Sequence, residues 1–358
     1  MSQLAENFDE SVVIETDVNI HELQSCDERQ WDAFIEKSPD ATFFHRAGWK
    51  KVIETAFSHR AYFFYAEVAG EIKGVLPLVH INSRLFGSSL SSLPFCVYGG
   101  VVAEDEMIRQ MLEQAAIELA QKLGVESLEF RNQSQQHEDW PAKRELYVTF
   151  RKEIDPDPEQ NLKNIPRKQR AMVRKGIKAA LESSWDENVD HFYDAYSQSV
   201  HALGTPVFSK RYFQILKEVF AADCRILTIT KDDRLIASVM NFYFRDQVLP
   251  YYGGGTAEAR AVKGNDFMYW EVMRQSCEQG IRVFDYGRSK VGTGSYSFKK
   301  NWGFEPQPLH HEYVLINASE IPDVNPLNPK YRLFISAWKK MPLSMTRLIG
   351  PHIVKNLG

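Results

Sequence analysis

The order of element types in this chain repeats, and no other feature restricts its fold as much. In the first half, Glu28 to Lys37 and Ala47 to Phe57 have helical spacing, the second placing Trp49, Val52, Ile53 and Ala56 on one face. Two strand-like runs follow, Ala61 to Val68 and Ile72 to Ile81, and the turn Ala69-Gly70-Glu71 between them predicts an antiparallel hairpin. A third strand, Leu90 to Val102, carries Pro94 and Gly99-Gly100; a helix from Glu106 stops at Gly124, and strand Ser127 to Arg131 comes next. In the second half a basic helix over 163–182 and helices over 188–202 and 209–220 precede a hairpin of Arg225 to Thr230 with Leu235 to Phe244. Strand Gln247 to Gly255, helix Asn265 to Gln279 and strand Arg282 to Asp285 complete it. Tyr98-Gly99-Gly100 and Tyr252-Gly253-Gly254 lie 154 positions apart, and Gly124 and Gly280 lie 156 apart. Two unrelated landmarks agree, so the chain reads as a duplicated α/β unit.

A chain of 358 residues has room for two such units of about 150 residues each. The expected division is 1–158, 159–316 and a basic tail over 317–358. A net charge of -4 excludes a protein that coats nucleic acid, although local basic patches can still hold phosphates. Cys26, Cys96, Cys224 and Cys277 form no CxxC pair, so neither a disulfide framework nor a zinc site is signalled, and no metal is expected. The acidic start is not a secretory signal, and no run approaches the roughly 18 apolar residues of a spanning helix. A cytoplasmic protein is expected.

The segment FDYGRSKVGTGSYSFKKNWGF, Phe284 to Phe304, has the composition of a site. A strand end carrying Asp285 leads into Gly287, Gly292 and Gly294, set among Arg288, Ser289, Lys290, Thr293 and Ser295. Tyr296, Phe298, Lys299, Lys300 and Trp302 then alternate rings that exclude water with cations that hold an anion or a developing oxyanion.

This order and four stretches, LPFCVYGG (93–100), IPRKQRAMVRKGIKAAL (165–181), FDYGRSKVGTGSYSFKKNWGFEPQPL (284–309) and AWKKMPLSMTRLIGP (337–351), carry a resemblance. The sequence resembles the Fem-type peptidyltransferases, and more narrowly the FemAB-related proteins associated with the exosortase (PEP-CTERM) system. The resemblance implies an α/β fold of tandem duplicated GNAT-like (acyl-CoA N-acyltransferase-like) domains, each a mixed, largely antiparallel sheet flanked by helices. It also implies transfer of an acyl or aminoacyl group to an amine of a cell-envelope or exopolysaccharide precursor. In that family a lysine directly after a phenylalanine sits by the acceptor and the transferred carbonyl, and Phe298-Lys299 stands at that place. Lys299 is accordingly the first catalytic candidate, as a fixed positive charge for the oxyanion.

Asp285 is the candidate to orient or deprotonate the acceptor amine; an ion pair with Arg288 that pins the loop is the equal alternative. Arg288 and Ser289 suit phosphate or carboxylate oxygens, and Tyr252 and Tyr296 suit the walls of a slot. Arg170 and Arg174 belong to a cationic helical stripe fit for a phosphate-bearing partner, either a small or lipid-linked substrate or transfer RNA. The donor is an aminoacyl-tRNA or an acyl-CoA. The glycine-rich turn that holds the CoA pyrophosphate in ordinary acetyltransferases is replaced here by TAEARAVKGNDFMYW, in which Lys263 offers one charge. An acetyl-CoA-dependent acetyltransferase acting on a nucleotide- or lipid-linked sugar, and a non-catalytic scaffold, are the other readings. Residues 324–358 carry six basic residues and no acid, and with Phe334, Ile335 and Trp338 they suit peripheral contact with the inner face of a membrane.

Overall fold

The computed structural model describes residues 17–83, 86–322 and 332–357. Strands β1 (Val18–Glu22), β2 (Arg60–Val68), β3 (Glu71–Ser83), β4 (Gly87–Ser91), β5 (Val102–Ala103), β6 (Ser127–Asn132) and β7 (Ala142–Lys143) lie in one sheet. A second sheet holds β8 (Tyr147–Glu153), β9 (Glu182–Asp186), β10 (Cys224–Lys231), β11 (Arg234–Phe244), β12 (Gln247–Gly255), β13 (Val283–Asp285), β14 (Ser289–Lys290) and β15 (Pro306–Pro308). Strand β16 (His310–Leu315) returns to the first. Each sheet contains one parallel pair among the described residues, β4 with β6 and β12 with β13. The tandem α/β architecture of two mixed, mainly antiparallel sheets is therefore as the sequence implied.

The two sheets trade strands. The path β1-β2-β3-β4-β6-β16 in one corresponds to β9-β10-β11-β12-β13-β8 in the other. Position six is thus filled from the opposite half each time, antiparallel to its neighbour in both sheets. The division of the polypeptide near residue 158 is a division of sequence, and two strands cross it in space. Periodicity reports which residues alternate along a strand, but it does not identify the strand's neighbour.

Helices α1 (Glu28–Lys37), α2 (Gly48–Phe57) and α3 (Glu106–Leu123) accompany the first sheet. Asp105 caps α3 by accepting the Ile108 N–H at 2.8 Å, and Gly124 ends it in the left-handed conformation. The basic helix expected over 163–182 is instead three elements, α4 (Pro158–Asn164), α5 (Arg167–Lys178) and strand β9. Pro166 explains the first break, because it disfavours helical geometry at Ile165, whose ψ is 130°. Helices α6 (Asp190–Leu203), α7 (Lys210–Phe220), α8 (Ala259–Val262) and α9 (Gly264–Glu278) follow. The expected strand Leu90 to Val102 also differs. It stops at Ser91, and Leu93 and Phe95 have φ of 58° and 68° around Pro94, which turns the chain out of the sheet. Tyr98 consequently lies in a loop while Tyr252 lies in β12, so the matched Tyr-Gly-Gly triplets do not occupy equivalent places.

The halves share a core. Phe43, Phe44 and Trp49 from the first pack with Phe220, Phe242 and Tyr251 from the second, and Phe43 stacks on Phe242 at 4.4 Å. Such a ring pair contributes about 1 kcal/mol beyond its buried area. With exchanged strands as well, the two halves are joined through both their sheets and their core. Helix α10 (Gly294–Asn301) follows the glycine-containing loop, and α11 (Arg332–Lys340) and α12 (Leu343–Val354) form the tail. Trp338 and Val354 are turned into the protein, whereas Leu333, Phe334, Met345 and Leu348 are exposed. Trp338 is thus unavailable to a membrane, and Lys330 lies outside the described residues.

Candidate functional site

Strands β12 and β13 pair only at Gln247 with Val283 and at Val248 with Phe284. Beyond that point they diverge. A register shift in β12 at Met240/Asn241 of β11 leaves Tyr251 as the extra residue, and Pro250 has no N–H to give a neighbour. The wedge between the strands opens into a cavity of about 430 Å³, walled by Tyr251, Tyr252 and Gly253 on one side and Tyr286, Gly287 and Arg288 on the other. The corresponding divergence in the first sheet, after β4 and β6, also borders a cavity, of about 440 Å³ beside Gly100, Arg131 and Asn132. There Arg131 is paired with Glu129 at 2.9 Å and donates to the carbonyls of Cys96 and Leu93 at 3.0 and 3.4 Å.

Lys299 reaches this cavity from α10, which Thr293 caps by accepting the Tyr296 N–H. Ser295 and Lys299, four residues apart, present one helical face to it. The Lys299 amine is buried and donates to the carbonyls of Gly287 at 2.9 Å and Arg288 at 3.0 Å. An ammonium has a third N–H. Burial pulls its pKa down to about 7, opposed by Asp285 and assisted by Arg288.

Asp285 stands behind this wall rather than in it. Its carboxylate accepts from the Gly287 N–H at 2.7 Å, from Tyr98 Oη at 3.0 Å and from Thr149 Oγ1 at 3.4 Å. Burial raises its pKa. It therefore pins the turn without an ion pair to Arg288, whose guanidinium lies 4.7 Å from the Tyr147 ring. Gly287 has φ of 63°, which a residue with a Cβ rarely adopts, and this turn is what aims two carbonyls at Lys299.

The other expected residues divide. Tyr252 and Arg288 line the cavity, the Tyr252 hydroxyl 2.9 Å from that of Tyr212. Ser289 is buried with its hydroxyl 2.9 Å from Ser295, Tyr296 packs on Phe150, and Phe298 packs on Tyr269 and Trp302. Arg170 and Arg174 border a separate cationic hollow on α5, and Lys263 donates to the Arg260 carbonyl at 3.2 Å. None of these six lines the cavity. At the start of α9, where a pyrophosphate would be held in an acetyl-CoA reading, the first turn carries Asp266, hydrogen-bonded by Gln169. Burial raises Asp266 to a pKa of about 6, so at neutral pH phosphate there meets a carboxylate. His45 closes a capping box with Thr42 and contacts the Gly100 carbonyl at 3.0 Å, a structural task.

Sequence reasoning missed Tyr98 and Thr149 as partners of Asp285, and Phe95, Val97, Val354 and Leu357 as lining residues. All come from distant segments. The only cue was the presence of Phe95, Val97 and Tyr98 in the LPFCVYGG stretch.

Residues 162–300 match the family model described as "Acetyltransferase (GNAT) domain", a span that includes β12, β13 and α10. The fold is similar to the crystal structure of FemX, with a TM-score of 0.65 at 13% identity over 88% of this chain and 100% of that one. It is also similar to a tandem GNAT protein from the clavulanic acid biosynthesis pathway, with a TM-score of 0.53 at 12% identity over 85% and 100% of the two chains. This is a tandem GNAT fold. The C-terminal domain of a putative lysylphosphatidylglycerol synthetase from Agrobacterium fabrum shares it, with a TM-score of 0.52 at 12% identity over 81% of this chain and 91% of that one. No curated protein matches the sequence.

Proposed function

We propose that this chain is an acyltransferase that places a donor carbonyl in the cavity opened by β12 and β13. The observation that carries this reading is Lys299, a buried amine that spends two N–H groups on the backbone and has a third for the cavity. In a site that excludes water, such a donor stabilises a tetrahedral oxyanion as the acceptor attacks. The acyl group is aminoacyl, and the acceptor an amine of an envelope or exopolysaccharide precursor; the likeness to FemX and the sequence resemblance support this, and the exosortase association rests on the resemblance alone. Asp266 at the start of α9 weighs against acetyl-CoA held there by its pyrophosphate.

Calorimetry with acetyl-CoA and with charged transfer RNA separates the donors. Charged transfer RNA is expected to bind, and Arg170→Glu combined with Arg174→Glu to weaken it and lower the salt slope by about two, one per lost phosphate contact. Tight binding of acetyl-CoA alone replaces aminoacyl transfer with acetyl transfer, and binding of neither turns the reading towards a scaffold.

The protein works at the inner face of a membrane, attached through its tail. No described helix is long and apolar enough to cross one. Leu348, 72% exposed, and Leu333 put apolar groups on the outside of α12 and α11, and α11 ends in Lys339 and Lys340, as attachment to an anionic surface requires, whereas Arg347 is paired with Asp194. Because Val354 and Leu357 line the cavity, deleting the tail would damage the site too. Leu348→Glu avoids this: sedimentation with anionic vesicles should fall while donor binding persists, and unchanged sedimentation would remove the membrane role.

A further inference from the structure

The strand exchange builds a second cavity, of about 110 Å³, against the first sheet, and Arg288 and Leu357 line both cavities. At its base the buried Glu129 carboxylate is fully engaged. Arg131 and Ser91 donate to one oxygen at 2.9 and 2.8 Å, and Tyr313 donates to the other at 2.7 Å. His311, only 1% exposed, stands with Nδ1 2.8 Å from that second oxygen. A carboxylate only accepts, so the proton is on Nδ1 and the Nε2 lone pair is unprotonated. Burial holds the ring neutral, with a pKa of about 4. Among the described residues Nε2 has no hydrogen-bond partner, although a buried acceptor left unsatisfied is costly.

We propose that this cavity binds the acceptor, a neutral hydroxyl- or amine-bearing molecule whose O–H or N–H donates to His311 Nε2. This rests on the acyltransferase reading for the word acceptor only; the binding site stands on its own geometry. Arg131, Lys143, Arg288, Glu126 and Glu129 are the charged groups around the ring, and Tyr147 and Tyr313 the phenols. Arg131 is matched by Glu129, so immediately beside His311 the unsatisfied acceptor atom decides what fits. A phosphate oxygen would face a lone pair there. A sugar hydroxyl or a free-base amine supplies the missing donor, and the Tyr147 ring, 4.9 Å from that of His311, offers an apolar face beside it. Arg288, whose guanidinium lies 4.7 Å from the same Tyr147 ring, is the wall common to this site and the Lys299 cavity.

Imidazole-nitrogen NMR of the full chain labelled at histidine tests this, with glucosamine, glucose and inorganic phosphate as probes. The His311 signal is identified by its loss in His311→Leu or, should that variant not fold, by its shift in Tyr313→Phe. The expected result is an unprotonated Nε2 that moves to lower frequency with a sugar and not with phosphate, and sugar affinity about tenfold weaker in His311→Leu. A response to glucosamine alone assigns an amine acceptor, and an equal response to glucose assigns a hydroxyl. A protonated Nε2, or no movement with either sugar at saturation, overturns the proposal. Neither measurement involves an acyl donor, so failure of donor binding at Lys299 leaves this result readable, and the reverse holds as well.

Discussion

Replacing Lys299 with methionine should lower kcat/KM for acyl transfer about a hundred- to a thousandfold, the effect typical of removing one oxyanion donor, while the fold persists. Methionine preserves most of the volume among Phe150 and the Gly287 turn, so a loss of activity would not be a loss of packing. The pH dependence separates the roles open to this amine. Its folded pKa of about 7 lies below the ordinary lysine value of 10.5, because burial disfavours the charged form. If the ammonium stabilises the oxyanion, wild-type activity falls as pH rises through about 7; a rise across the same range would make Lys299 a base instead. Stability carries the complementary sign. Between the folded and the unfolded pKa the unfolded chain binds more protons, so stability increases with pH from about 7 towards 10.5. Lys299→Met should abolish that slope in denaturant titrations across this range, and persistence of the slope would mean that another group causes it.

Asp285→Ala should be the most destabilising change at the site, by about 3 kcal/mol, since it leaves the Gly287 N–H without its buried acceptor and the Tyr98 and Thr149 hydroxyls, 2.6 Å apart, with only each other. Asp285→Asn keeps an acceptor oxygen and the shape, and should retain most of the stability. Because the carboxyl does not line the cavity, the asparagine variant should also retain activity within about tenfold. A well-folded Asp285→Asn protein with activity abolished would establish Asp285 as a base after all. The acid range offers a second reading. The folded pKa is raised by burial, so the native state holds more protons than the unfolded chain around and above the ordinary aspartate value of 3.8. Stability contributed by this group is therefore lost as pH rises from 3.8 through the folded pKa, and the asparagine variant should lack that loss.

Much of the fold was legible because helix and strand periods are local properties. The helices around Trp49 and after Glu106, and the hairpins turning at Gly70 and at Asp232-Asp233, stand where spacing placed them. The tandem arrangement followed from their order. Failures came where a local signal was overruled. The basic stretch read as one helix broke at Pro166, and the glycine-containing run after Pro94 left the sheet instead of extending it. At the site, Arg288 and Tyr252, chosen from chemical character, and Lys299, chosen from the family resemblance, lie on one cavity, whereas Phe298, Tyr296 and Ser289 turned inward to support it.

The sequence by itself determined the two α/β units, the gathering of glycines, Asp285, Arg288 and Lys299 in one stretch, and the concentration of cations in the basic stretch and the tail, since each depends on residues close together in the chain. Only the tertiary structure decided that β8 and β16 change places, and with them that Thr149 meets Asp285 and His311 meets Glu129. Hydrogen bonds between strands are made by a backbone common to all residues, so the choice of neighbour is settled by which assembly buries the most apolar surface and satisfies the most buried polar groups at once. That is a property of the whole chain, which no single segment displays.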